Sequence, residues 1–197
     1  MTDPVADAVS AALGGNLIVM PTDTVYGIGT RPDDPRATAK LFAAKGRPRD
    51  VELPVLVPSV ADAERIASLD ARARALTSRF WPGALTIVLR RTDASAGWDL
   101  GGDPTTIGVR MPHHAMSLAV LARTGPLAVT SANRTGEPTP ETCEELSALF
   151  GDRVDVYLCE PEPLRGAAST VVSLIGDDVR ILREGSLPPD AIAHALA

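Results

Sequence analysis

Apolar residues recur along the chain in two rhythms, short unbroken runs and runs spaced at three and four, and the two interleave almost from the start. Val5, Ala8, Val9, Ala12 and Leu13 fall on one face of a 3.6-residue repeat. That pattern predicts an opening helix, with Asp3 placed to cap it, Pro4 where a missing N–H is harmless, and Gly14-Gly15 to stop it. Apolar runs at residues 16–20 and 25–29 flank Pro21-Thr22-Asp23-Thr24 and predict two strands around a polar turn. A helix is expected over residues 37–45, ended by Gly46, and a buried strand over 55–57. Helices follow at about 61–68, opened by Ser59-x-x-Asp62, and at 71–80, closed by Trp81-Pro82-Gly83.

The apolar runs 85–89, 107–109, 127–129, 171–174 and 179–182 read as further strands. Helices fall between them at 115–123 and 141–150, the second with Thr139 as N-cap and Pro140 as its first residue. Residues 92–105, carrying Gly97, Gly101 and Gly102, predict a long, mobile loop. No repeat, low-complexity tract or linker divides the chain. The expected fold is therefore α/β, a single domain over residues 1–197 with a twisted, open, mixed sheet flanked by helices.

Composition narrows the function classes. The 197 residues are 45% hydrophobic and 22% charged, which excludes a disordered chain and a coiled coil. Lys plus Arg number 19 against 25 Asp plus Glu, a net charge of −6, so wholesale coating of nucleic acid is disfavoured while a local basic cleft is not. Only two Trp, two Tyr and three Phe are present, too few for a base-stacking platform. Cys143 and Cys159 form no CxxC pair and point to a reducing compartment, with Cys143 read as a helix packing residue. No signal peptide or membrane span is visible in the opening residues, so the cytoplasm is the expected location.

Polar residues gather just past the predicted strands: Thr22-Asp23-Thr24, Thr106 to Arg110, Thr130 to Asn133, Ser169-Thr170 and Arg183. Ligands of open α/β sheets sit at strand ends, so these clusters could share one pocket, although each alone reads more simply as a turn or cap. Lys45-Gly46-Arg47, if extended, would aim two cations at one anion, with Gly46 allowing close backbone approach; a solvated helix end is the plainer reading of that tripeptide. GxxxxGK[ST], GxGxxG and GxSxG are absent. His113-His114 have no metal-ligating company and read as surface or packing residues.

The runs PTDTVYGIG (21–29), KGRP (45–48), WPGALTIVL (81–89), TIGVRMP (106–112), PLAVTSANRTGEPTP (126–140), STVVSL (169–174) and ILREGSL (181–187) resemble the YrdC/TsaC family of threonylcarbamoyl-AMP synthases. The likeness spans about residues 16–187 in one order and spacing and is to the short, single-domain form. It implies a reaction: L-threonine, bicarbonate and ATP, with Mg²⁺, give threonylcarbamoyl-adenylate and pyrophosphate. The resemblance places Thr24, Arg110, Thr130 and Ser169 among threonine-binding residues, and Arg47, Thr106, Ala132 and Arg183 among nucleotide-binding ones. Lys45 with Arg47 match the family's KxR signature, assigned to catalysis and ATP, and Ser131 with Asn133 its SxN signature, assigned to ATP. No metal ligand from the protein is expected. A separate tRNA threonylcarbamoyl transferase complex is the implied downstream partner.

Two positions depart from the family pattern: Val51-Glu52-Leu53-Pro54 follows KGRP, and Ser173 stands where an Asp is common. An acid at 52 beside a triphosphate is unfavourable, so that segment either points away or binds ATP differently. Two other roles stay open from the sequence. One is an RNA-binding or ribosome-associated module, since a concave basic surface suits RNA. The other is adenylation of carbamate drawn from carbamoyl phosphate.

Overall fold

The computed structural model describes residues 3–196. Helix α1 (Pro4–Leu13) begins where its cap predicts, with the Asp3 carboxylate accepting from the Val5 N–H at 3.0 Å. Strands β1 (Ile18–Met20) and β2 (Gly27–Thr30) pair antiparallel across the polar turn. Helix α2 (Pro35–Lys45) is capped by Asp34 and stopped by Gly46 at φ 59°, a left-handed conformation that glycine adopts without a Cβ clash. The chain continues through β3 (Val55–Leu56), α3 (Val60–Ile66), α4 (Ala71–Phe80), β4 (Leu85–Arg90), β5 (Thr106–Arg110), α5 (Ala115–Thr124), β6 (Leu127–Ser131) and α6 (Cys143–Phe150). A 3-10 turn, then β7 (Val156–Tyr157), β8 (Thr170–Ser173), β9 (Arg180–Arg183) and α7 (Pro189–His194) complete it.

The nine strands form one mixed sheet in the order β7-β1-β2-β6-β3-β5-β4-β8-β9. Pairs β1–β7, β3–β5 and β4–β8 are parallel and the remaining neighbours antiparallel. Strand alternation sorts the core into two layers. Ile18, Met20, Leu127 and Val129 face Ala8, Val9 and Ala12 of α1 and Val120 and Leu121 of α5. Leu17, Val19, Ala128, Leu85 and Ile87 face the other way, onto Leu41 and Phe42 of α2, Leu76 of α4 and Leu146 of α6. Helices thus cover both faces, as the periodicity predicts.

Several boundaries differ from expectation. Helix α6 starts at Cys143, and its N-cap is Thr142, not Thr139. Thr142 and Glu145 form a capping box: the threonine hydroxyl accepts from the Glu145 N–H at 3.3 Å, and the glutamate accepts from the Thr142 N–H at 3.2 Å. Strand β7 is two residues long, too short to leave a period, and α7 carries a single fully packed apolar residue, Ile192. Both escape a reading built on repeating patterns. Residues 92–105 are packed down: the Leu53 N–H donates to Leu100 O at 2.8 Å, and the Gly102 N–H to Arg49 O at 2.9 Å. Ser95 and Leu100 within this segment are fully buried.

The cysteines require a correction as well. Cys143 and Cys159 are joined in a disulfide with Cα atoms 5.8 Å apart, because parallel pairing of β7 with β1 returns the chain to the first turn of α6. Closing a loop of 16 residues restricts the unfolded chain. Cys159→Ser is therefore expected to lower stability by about 3 kcal/mol. Chemical denaturation should show the loss in oxidising buffer, and the variant and parent should converge once a dithiol is added.

Candidate functional site

A cleft of about 310 Å³ opens on the sheet where the Pro21–Tyr26 turn, the segment after α2, β4–β6 and the entry to β8 meet. Arg110, the last residue of β5, reaches its wall nearly buried, with 7% of its side chain exposed. Its Nε donates to Gly83 O at 2.9 Å, one terminal nitrogen to Thr24 Oγ1 at 3.0 Å, and the other to Asp23 Oδ1 at 2.5 Å. Burial lowers the pKa of Arg110 while Asp23 opposes that shift. The same Asp23 oxygen accepts from the His113 N–H at 2.9 Å, which locks the carboxylate in place.

Arg47 and Arg183 approach from other sides. Arg47 Nε donates to Val51 O at 3.0 Å, and a terminal nitrogen to Glu52 O at 2.7 Å. Arg183, on edge strand β9, donates to Ser169 O at 3.1 and 2.8 Å and to Ser169 Oγ at 3.1 Å. Burial lowers the pKa of both, and Arg183 lowers those of Arg47 and Arg110 further by like-charge repulsion. Three guanidinium groups from distant parts of the chain therefore share one concave surface.

Hydroxyls fill the spaces between them. Thr24 Oγ1 lies 2.9 Å from Thr22 Oγ1, which donates to Val25 O and so tightens the turn. Thr130 and Ser131 sit at the end of β6, and Ser169 precedes β8. Close backbone packing holds the turn against the Ser169 segment: a Cβ on Gly166 would lie 1.7 Å from Thr24 O, and one on Gly185 2.2 Å from Ala168 O. No side chain fits at either position.

Of the residues singled out in the sequence, Thr24, Arg47, Arg110, Thr130, Ser131, Ser169 and Arg183 line this cleft. Lys45, Thr106, Ala132 and Asn133 do not. Lys45 and Arg47 do not point together, because Lys45 ends a helix and Gly46 turns the chain, so the extended geometry assumed for the tripeptide does not form. The Lys45 Nζ instead donates to Ser131 O at 2.5 Å, Asn133 O at 2.6 Å and Asn133 Oδ1 at 3.2 Å, three acceptors for an ammonium's three protons. Burial and the neighbouring Arg47 pull Lys45 down to about 7. Ser131 Oγ also donates to Asn133 Oδ1 at 2.6 Å, so Lys45 and Asn133 brace the wall from behind. Ala132 is fully buried with its N–H on Tyr26 O at 2.8 Å, and Thr106 lies at the opposite end of β5 from Arg110.

Glu52 lines the cleft, but its Oε1 is directed at Arg91, 3.6 Å away, which settles how an acid is accommodated there. Burial pushes its carboxyl up to about 7, against the opposing pull of Arg91. Ser173, the other departure, is buried in β8 and accepts from the Ile175 N–H at 3.3 Å. Sequence reasoning did not single out Thr86, a cleft residue whose only signal is a polar position inside an apolar run. It also missed the close approach of Gly166 to Thr24. Among the described residues, no group of three or more His, Cys, Asp or Glu side chains is placed to hold a metal, and no helix is long and apolar enough to cross a membrane.

A Sua5/YciO/YrdC family model, described as "Telomere recombination", matches residues 10–185. A Mycobacterium tuberculosis protein is 43% identical over 193 residues, covering 98% of this chain and 88% of its own. A threonylcarbamoyl-AMP synthase of Pyrococcus abyssi is 35% identical over 184 residues, 92% of this chain and 54% of that protein. The crystal structure of P. abyssi Sua5 complexed with L-threonine superposes with a TM-score of 0.89 at 30% identity, over 100% of this chain and 58% of that one. The chain thus spans little more than half of the archaeal protein.

Two buried groups poised at about 7 give the cleft a proton signature. At pH 8 both Lys45 and Glu52 are mostly deprotonated, and a bound polyanion raises both pKa values. Binding of a nucleoside triphosphate at pH 8, where its phosphates are fully ionised, should therefore take up protons, at most about one at each of the two groups. Calorimetry in two buffers of different ionisation enthalpy measures this, and Lys45→Met should remove the share of Lys45, leaving only that of Glu52.

Proposed function

The chain belongs to the Sua5/YciO/YrdC family, and we propose that it is a threonylcarbamoyl-AMP synthase, joining L-threonine, bicarbonate and ATP with release of pyrophosphate. The observation that carries this reading is the convergence of Arg47, Arg110 and Arg183 on one hydroxyl-lined cleft. The name of the P. abyssi relative and the L-threonine in the related Sua5 structure support it. A cleft of small-molecule size also fits it better than an RNA-binding surface does.

The chemistry follows from the charges. The neutral amine of threonine and bicarbonate combine to a carbamate with loss of water. A carbamate oxygen then attacks the α-phosphorus, and pyrophosphate leaves. Every partner is anionic, so the protein must bring like charges together and stabilise charge as it spreads. Arg110, with unused N–H groups beside Thr24, pairs with the amino-acid carboxylate, and Thr24, Thr130 and Ser169 hydrogen-bond its polar atoms. Arg47, Arg183 and Ser131, braced by Lys45 and Asn133, face the phosphates. Thr106 and Ala132, which the resemblance also assigns to the nucleotide, lie outside the cleft wall.

Val51 and Leu182, 44% and 58% exposed at the mouth, offer apolar surface to the purine. Mg²⁺ would enter with the triphosphate, whose oxygens would supply its charged ligands, with the Thr130 and Ser131 hydroxyls of the wall as neutral ones; bound there, it would offset phosphate charge. No enzyme nucleophile is needed, since positioning supplies much of the rate. The adenylate would pass to a separate tRNA-modifying transferase, and the supply of ATP favours a cytoplasmic location, although the Cys143–Cys159 bond takes away the free thiols that pointed to a reducing compartment.

Pyrophosphate release from ATP should require both L-threonine and bicarbonate. Equal turnover with carbamoyl phosphate in their place would point to the other adenylation chemistry instead. Arg47→Ala should reduce kcat/KM at least about a hundredfold, the usual cost of losing one charge-stabilising donor. A steady-state pyrophosphate assay reads both, and a near-parental rate for the variant would remove Arg47 from the mechanism.

A further inference from the structure

Thr86 is the second residue of β4, 4% exposed, in the floor of the cleft. Strand alternation puts Leu85, Ile87 and Leu89 in the core and turns Thr86 and Val88 to the cleft. A buried hydroxyl is unfavourable without a partner, and the partner of Thr86 Oγ1 is Ser169 Oγ at 2.9 Å. The threonine methyl lies over Gly108, within 3.5 Å of where a Cβ would stand, which leaves the hydroxyl facing Ser169.

Proton accounting favours one direction for that bond. A serine hydroxyl has one proton and two lone pairs. Arg183 donates into one lone pair of Ser169 Oγ at 3.1 Å. Were Ser169 to donate to Thr86, the Thr86 proton would have no protein acceptor among the described residues. Buried polar groups avoid that outcome. With Thr86 donating into the second lone pair, both lone pairs of Ser169 are filled, and its proton is left to point into the cleft.

We propose that Thr86 is a positioning residue that makes Ser169 a fixed hydrogen-bond donor to an anionic oxygen of the amino-acid substrate, beside the guanidinium that faces the nucleotide. This rests on the synthase reading above. It assigns to a side chain in the cleft floor, acting through Ser169, a share in selecting for an acceptor at that place. It also ties the amino-acid end of the cleft to Arg183 at the nucleotide end through a single serine.

Thr86→Val removes the hydroxyl at nearly constant shape, and Thr86→Ser restores it. KM for L-threonine should rise about tenfold in the valine variant, with KM for ATP and kcat within about twofold of the parent, and the serine variant should return KM to within about twofold. In a Ser169→Ala background, Thr86→Val should have no further effect, because its route is gone. If the valine variant does not fold, Thr86→Ala gives a second hydroxyl-free protein with the same expected KM. An unchanged KM for threonine, an equal rise in KM for ATP, failure of serine to rescue, or full additivity with Ser169→Ala would each overturn the role. A wild-type protein that releases no pyrophosphate with L-threonine would overturn the synthase reading, and this role with it; an active wild type with an unaltered valine variant sinks the Thr86 role alone.

Discussion

Three guanidinium groups held on one concave surface repel one another, and the structure around the cleft is arranged to tolerate that repulsion. Two of them are held largely by backbone carbonyl oxygens, Val51 O and Glu52 O for Arg47 and Ser169 O for Arg183, while Arg110 adds an ion pair with Asp23 to its bond with Gly83 O. Carbonyl dipoles satisfy the N–H groups without cancelling the charge. The cations stay in position, and their field stays available to a bound anion.

Topology explains how such distant residues meet. Strand β5 lies between β3 and β4, so its last residue, Arg110, emerges near the centre of the sheet. Arg47 follows the Gly46 turn that ends α2, and the packing of residues 98–103 against 49–53 fixes the path it takes. Arg183 comes from β9, which joins the sheet only through β8, so the pair β8–β9 presents Ser169 and Arg183 together. The tight approach of Gly166 to Thr24 then closes the amino-acid end against this pair.

Much of this was legible in the sequence, and the reasons are local. Strand ends are marked by a change from apolar to hydroxyl or basic residues, so the Thr24, Arg110, Thr130, Ser169 and Arg183 positions announce themselves. Elements with several turns or alternations, such as α1 and β4, leave a period that can be counted. What could not be read depends on through-space relations. Lys45 and Arg47 diverge because one left-handed glycine redirects the chain. The Cys143–Cys159 bond depends on a two-residue strand adding to the sheet edge beside β1. Glu52 is tolerable only because Arg91, held by the carbonyls of Thr106, Ser95 and Trp98, stands behind it.

The cleft is electrostatically unequal along its length, and that inequality orders its two substrates. At the Thr24 end, Arg110 is already paired with Asp23, so the local charge is close to balanced. Such a place suits a zwitterion, which brings one carboxylate and little net charge. At the other end, Arg47 and Arg183 have no acidic partner among the described residues, and Glu52 is drawn off to Arg91. That place suits a polyanion, whose binding relieves the repulsion between the two cations. A triphosphate bound there would lower the repulsion between the two guanidinium groups.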